Sequence, residues 1–273
     1  MQTLFRAFLA IYLAHLLTDF VFQTNRLVEQ KKRGKFFAYL LHGLTHYLSA
    51  IILVSFFLAG SGLSLRTHAV ILALTLVHLL IDFAKIRLLM DSAKIQFIKK
   101  SLLGDGAIAY LSDQFFHFLT VALAAWLLSP RLPFAEVAAL LGRGRDLPNQ
   151  LLFVPVIYVG VIFGGGYLIR ALTRPLAKSI NLEQPEKGGE PMQNAGLYIG
   201  WLERFLLLTA LMMQSPGTAG LILAAKAIAR YPEFKSEHFA EYFLIGTLLS
   251  FSIAVIGGVI LARVILGQVR VAG

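Results

Sequence analysis

The chain has 273 residues, of which 57% are hydrophobic and only 15% charged, with a formal net charge of +10 and a mean hydropathy of +0.71. A water-soluble domain of this size does not carry so many apolar runs of about 20 residues, so the composition excludes a soluble globule and calls for a membrane protein. Cysteine is absent, which excludes disulfides, thiolate nucleophiles, iron–sulfur clusters and cysteine zinc sites; any metal must sit on nitrogen and oxygen.

Hydrophobic spans are predicted near 3–24, 36–59, 67–90, 107–128, 151–173, 196–214 and 239–266. Each reaches the roughly 20 residues needed to cross ~30 Å of hydrocarbon. The first starts at Met1 with neither a basic leader nor a small-residue cleavage site, so no cleavable signal peptide is expected. It carries His15 and Asp19, which are four residues apart and so share one helix face. The second span repeats that spacing with His42 and His46, the third with His78 and Asp82, the fourth with Asp113 and His117. His78-Leu-Leu-Ile-Asp82-Phe differs from His15-Leu-Leu-Thr-Asp19-Phe at one position.

The loops between these spans alternate in charge. Arg26, Lys31, Lys32, Arg33 and Lys35 fill the first, Lys85, Arg87, Lys94, Lys99 and Lys100 the third, and the second has only Arg66. By the positive-inside rule, loops one and three face the cytoplasm and the N-terminus lies outside. Arg131, Arg143 and Arg145 in the 129–150 loop blur the alternation there. No nucleic-acid motif accompanies the charge, so the expected partners are membrane lipids rather than nucleic acid.

In the fifth span, Gly164–Gly166 has no phosphate-loop context and reads as close helix packing. Residues 174–195, rich in Pro, Gly and charge, read as a cytoplasmic linker. Beyond it, Glu203 and Arg204 lie inside an apolar helix. The short apolar segment 217–230 carries Lys226 and Arg230 and reads as interfacial or re-entrant; Glu241 opens the last span. These five charged residues fit either interhelical ion pairs or a cationic pocket for a lipid phosphate.

The expected architecture is an all-α polytopic transmembrane bundle of about seven spans. A four-helix His/Asp core over 1–128 is followed by a loop, fifth span and linker over 129–195 and a C-terminal helical module over 196–273. Each half of the core reads as a His-xxx-Asp helix, a basic loop and a returning helix with a second pair, which makes two parallel hairpin repeats.

On this topology all four pairs fall within roughly 10 Å of the cytoplasmic face at 1.5 Å per residue. Five of the seven histidines and three aspartates are thus gathered at one depth. Beyond Arg6 and Lys85 the first four spans offer few basic residues to neutralise three carboxylates, so a divalent cation is the expected counter-charge. His15, Asp19, His42, His46, His78, Asp82, Asp113 and His117 are the candidate ligands. Imidazole with carboxylate suits zinc first, then manganese or iron, and eight donors leave room for one ion or two.

The strings His15-Leu-Leu-Thr-Asp19-Phe…Gln23, His42-xxx-His46, His78-Leu-Leu-Ile-Asp82 and Asp113-Gln114-xx-His117 resemble a bacterial membrane family classed as a domain of unknown function, over about residues 10–120. Strings like those around Glu203–Arg204, Lys226–Arg230 and Glu241 follow the core in some relatives of that family. More distantly the pairs are similar to those of the inner-membrane metal-dependent hydrolases. That resemblance implies a multi-pass protein of the bacterial cytoplasmic membrane and a metal-assisted hydrolysis.

Three functions remain open at this point. The first is a metal-dependent hydrolase acting at the cytoplasmic face on an amphipathic or lipid-linked, phosphate-bearing substrate, with Asp19 or Asp113 as general base. The second is a divalent-metal or proton transporter. The third is a structural or accessory protein whose bundle is pinned by metal.

Overall fold

The computed structural model describes residues 2–58, 64–92, 106–129, 147–179, 195–231 and 237–266. Among them every regular element is helical. The chain runs α1 (Gln2–Leu16) into a π-helical turn (Leu17–Phe22), then α2 (Asn25–Lys32), α3 (Phe36–Phe57), α4 (Leu65–Ser92), α5 (Ala107–Leu128) and α6 (Leu147–Val159). A second π-helical turn (Gly160–Gly164) leads to α7 (Gly165–Ser179), α8 (Ala195–Met212), α9 (Pro216–Ala229) and α10 (Glu237–Leu266).

Among the described residues six stretches are long and apolar enough to cross a membrane: Thr3–Phe22, Phe36–Phe57, Leu65–Arg87, Ala107–Leu128, Asn149–Ala177 and His238–Ile265. The expected span at 196–214 forms α8, an 18-residue helix that is not among the six. Glu203 and Arg204 are buried at its middle. The segment expected to be interfacial forms α9, which is apolar but only 14 residues long.

Two compact units divide at Val159/Gly160. The sequence reading placed boundaries near 128 and 195 instead. The observed division falls between α6 and the π-helical turn, where no shift in composition marks it. Helix α7 continues to Ser179, past residue 174 where the linker was expected to begin. The rest of that linker and most of the 129–150 loop, with Arg131, Arg143 and Arg145, lie outside the described residues.

In the first unit α1 is the central helix. Its apolar stretch is 67% buried, against 28% for those of α3, α4 and α5, because it packs on α3, α5 and α6. Helix α4 closes the ring by packing on α3 and α5. The buried face of α3 is Ala38, His42, His46, Ala50 and Val54, a strict four-residue stripe. Its outer face exposes Phe36, Phe37, Leu40, Leu44, Leu48, Ile52 and Phe56. Helix α5 follows suit, with Asp113, His117 and Val121 inside and Phe115, Leu119 and Leu123 outside. Polar groups within and large apolar groups without is the arrangement that hydrocarbon solvent favours.

Helix α2 is short and held by its ends. Thr24 caps it, accepting a hydrogen bond from the Leu27 amide at 3.3 Å. At its other end Gly34 adopts φ +71°. The Gly34 amide donates to the Lys31 carbonyl at 2.9 Å and the Lys35 amide to the Gln30 carbonyl at 3.1 Å. This is a glycine-closed helix end that turns the chain directly into α3.

In the second unit α10 packs on α7 and α8, and α9 on α8. The buried Arg204 donates from Nε and Nη2 to the Ile162 carbonyl at 3.0 and 2.8 Å, and from Nη1 to Ser250 Oγ at 3.3 Å. The π-helical turn supplies the acceptor, because a locally widened helix leaves a carbonyl free for a side chain. Glycine is required beside it: a Cβ on Gly166 would lie 2.6 Å from Arg204 Nη2, and one on Gly165 2.9 Å from Ile253 Cγ2. The Gly164–Gly166 run therefore serves close packing.

Candidate metal centre

Four helices of the first unit deliver the eight expected residues to one buried cluster. Helix α1 ends with His15 and passes into the π-helical turn that carries Asp19; His15 Nδ1 lies 3.7 Å from Asp19 Oδ2. Helix α3 contributes His42 and His46, α4 His78 and Asp82, and α5 Asp113 and His117. All five imidazoles are at most 1% exposed. His78 is the hub, its ring centroid 4.4 Å from those of His46 and His117, 5.1 Å from His42 and 5.4 Å from His15.

Among the described residues three groups bring ligand atoms within 4.8 Å of one another: His15/Asp19/His78/His117, His42/His78/Asp82 and Asp82/Asp113/His117. His46 belongs to the ring cluster but to none of these groups.

Hydrogen bonds fix how two of the rings are protonated. His117 Nδ1 lies 2.8 Å from the Asp113 carbonyl oxygen, which only accepts, so the proton is on Nδ1 and Nε2 keeps its lone pair. Thr75 Oγ1 donates to the Ile71 carbonyl at 2.9 Å, so it accepts from His46 Nδ1 at 3.2 Å, and His46 Nε2 likewise keeps its lone pair. Oxygen on the far nitrogen is the usual setting of a metal-binding histidine.

Several of the donor atoms that a cation would need make no hydrogen bond among the described residues. His15 Nδ1 and Nε2, His46 Nε2, His78 Nδ1, His117 Nε2, Asp19 Oδ1 and Asp113 Oδ1 are buried without a hydrogen bond. Buried polar atoms left unsatisfied are costly, and so many in one cluster fit a cation-binding role. Neutral imidazoles with an aspartate form a set suited to zinc, manganese or iron.

Charge balance differs from the sequence expectation in one respect. Lys31, read as one of five orienting charges in a loop, is 3% exposed and sends Nζ to Asp82 Oδ2 at 2.5 Å. Lys85 Nζ reaches Asp113 Oδ2 at 2.7 Å. Arg6 takes no part, since its Nε donates to Asn149 Oδ1 of α6 at 3.0 Å. Two of the three carboxylates are therefore neutralised within the chain. Asp19 alone has no lysine or arginine partner among the described residues; its Oδ1 lies 3.4 Å from His42 Nε2 and 3.3 Å from His78 Nε2.

Residues 7–138 match the model of one family, described as Protein of unknown function (DUF3307). No curated protein and no solved structure matches the chain. The DUF3307 match contains all eight cluster residues, together with Lys31 and Lys85.

Sequence reasoning passed over three residues that shape the site: Lys31, Thr75 and Gly43. Lys31 looked like its basic neighbours. Thr75 had a signal, because it falls on the buried α4 stripe one turn before His78. Gly43 sits beside His42 where α3 meets α4, and a Cβ there would lie 2.8 Å from Leu79 Cδ1. Gly43→Val is expected to push the Leu79 side chain out of its place between the two helices, costing about 1–3 kcal/mol of stability. It should also weaken metal binding by loosening the 2.9 Å contact between His42 and His78 Nε2. Thermal unfolding in detergent and metal titration check the two effects separately.

The five C-terminal candidates are distributed among different contacts. Lys226 Nζ pairs with Glu203 Oε2 at 2.5 Å and Arg204 is held by Ile162 and Ser250. Glu241 is exposed and Arg230 is half-buried.

Proposed function

We propose that the four-helix unit binds a divalent transition-metal ion, zinc before manganese or iron, and acts as a metal-dependent membrane hydrolase. The observation that carries the reading is the His15/Asp19/His78/His117 group, which gathers three buried imidazoles, several of their nitrogens without a hydrogen bond among the described residues, around the Asp19 carboxylate. A bound divalent cation would supply Lewis acidity, polarising a phosphoryl or carbonyl oxygen and lowering the pKa of water to roughly 7.

The chain's own residues do the rest. The Asp113 carbonyl holds the His117 ring and Thr75 Oγ1 the His46 ring in orientation, and burial among apolar helices keeps bulk water out. Of the two general-base candidates, Asp113 Oδ2 is already bound to Lys85 and to Gln114 Nε2 at 3.2 Å, so the base would be Asp19 through the carboxylate oxygen that does not ligate the ion. Lys85, whose side chain is 34% exposed, marks the end of the bundle at which the cluster meets its surroundings. By the positive-inside rule that end is cytoplasmic, in a bacterial inner membrane, and its basic residues suit an amphipathic or lipid-linked substrate bearing phosphate.

Metal analysis of protein purified in detergent tests the proposal. About one equivalent of zinc, manganese or iron, retained or regained on titration, is expected. Less than a tenth of an equivalent with none bound on titration rejects it. Turnover of phosphoester and acyl-ester lipids by loaded protein then separates hydrolysis from simple binding.

One observation favours a second reading, ion or proton transport. Lys31, Asp82, His42, His78 and Asp19 form a chain of contacts at 2.5, 3.3, 2.9 and 3.3 Å leading from α2 into the cluster. Metal or proton flux into proteoliposomes that disappears in His78→Ala would select it.

A further inference from the structure

The metal-centre reading allows one ion or two, and two lysines, Lys31 and Lys85, discriminate between them. The group His15/Asp19/His78/His117 contains no carboxylate held by an ammonium. In the other two groups every carboxylate is held by an ammonium: Asp82 Oδ2 by Lys31 in both, and Asp113 Oδ2 by Lys85 in the Asp82/Asp113/His117 group. An ammonium on a carboxylate that also faces an imidazole occupies the place of a second cation.

Lys31 is the more telling of the two. Burying a lysine head group carries a desolvation cost and immobilises a flexible side chain. The backbone around it is nevertheless locked: Thr24 caps the helix, Gly34 closes it, and the Lys31 carbonyl accepts hydrogen bonds from the Gly34 amide and, at 3.3 Å, from the Tyr39 hydroxyl. This arrangement holds Nζ against Asp82 Oδ2, while His42 Nε2 lies 3.3 Å from the same oxygen.

We infer that the bundle takes a single metal ion at His15/Asp19/His78/His117 and that Lys31 Nζ stands in for a second at His42/His78/Asp82. The inference rests on the metal-centre reading and fixes its stoichiometry. Three carboxylates, two ammoniums and one dication leave a buried charge of +1 with the rings neutral; a second dication raises it to +3 with no further counter-charge. Without Lys31 the first ion meets a balanced site, and Asp82 is released to serve the second.

Zinc titration of the full chain in detergent, with chelator competition for affinity and elemental analysis for the count, tests this. Wild type and Lys31→Arg are expected to hold one equivalent. Lys31→Met is expected to hold two, with the first bound at least tenfold more tightly. Lys31→Gln keeps a hydrogen-bond donor for Asp82 but no charge, so it serves if the Met variant does not fold; the same tenfold gain is expected. Two equivalents in wild type overturn the inference while the metal centre stands, and so does an unchanged count and affinity in folded neutral variants. No zinc in wild type or any variant overturns the metal-centre proposal itself.

Discussion

Asp19→Asn is expected to lower metal affinity by about 100-fold, at the upper end of what loss of a ligand or of its supporting hydrogen bonds costs. Asparagine preserves the volume and removes the charge. Asp19 is the one cluster carboxylate with no ammonium partner among the described residues, and its Oδ1 faces both His42 and His78. Asp82→Asn should weaken binding less, about tenfold, because Lys31 already neutralises Asp82. Its larger effect falls on stability, since Lys31 is left as an uncompensated buried cation, a loss of about 3–5 kcal/mol. His68→Ala and His238→Ala should leave affinity unchanged: His68 bonds to the Tyr47 hydroxyl at 2.7 Å, and His238 is exposed in the other unit. Metal titration of folded, monodisperse variants is the check. Equal affinity in all four would remove the shared-site model.

The cluster was legible because helical spacing and hydrocarbon solvent act on the same residues. A polar residue every four positions in an otherwise apolar run has one place to go, and Ala38, His42, His46, Ala50 and Val54 form that inward stripe. Agreement in depth among four such pairs then implied one site. What the spacing did not convey is backbone irregularity. Asp19 sits in a π-helical turn, where the register departs from the ideal helix, and no residue type announces such a turn. Lys31 was illegible for another reason: basic residues beside a membrane usually orient the protein, so one that folds inward looks the same as four that do not. The boundary at Val159/Gly160 was hidden because helical structure runs through it from 147 to 179. Glu203 and Lys226, by contrast, were readable as a pair, since a carboxylate and an ammonium in apolar helices must each find a partner.

That pair yields the second large effect. Lys226→Met is expected to destabilise the C-terminal unit by about 3 kcal/mol, the scale of breaking a buried pair from one side. The side chain of Glu203 is only 4% exposed, and its Oε1 has no hydrogen bond, so the variant must leave a buried carboxylate uncompensated or protonate it. Glu203→Gln should cost less, about 1 kcal/mol. The Lys226 side chain is 20% exposed, lies with Nζ 5.3 Å from the Phe243 ring, and has a flexible stem that lets its head group move toward water. The double variant Glu203→Gln/Lys226→Met removes both charges and should return to within about 1 kcal/mol of wild type, because neither group is then stranded. Unfolding midpoints in detergent measure all three. Equal losses in the single variants would overturn the asymmetry, and a double variant as unstable as their sum would show that the two side chains act independently. Metal content should not change in any of them, since neither residue belongs to the unit that holds the His/Asp cluster.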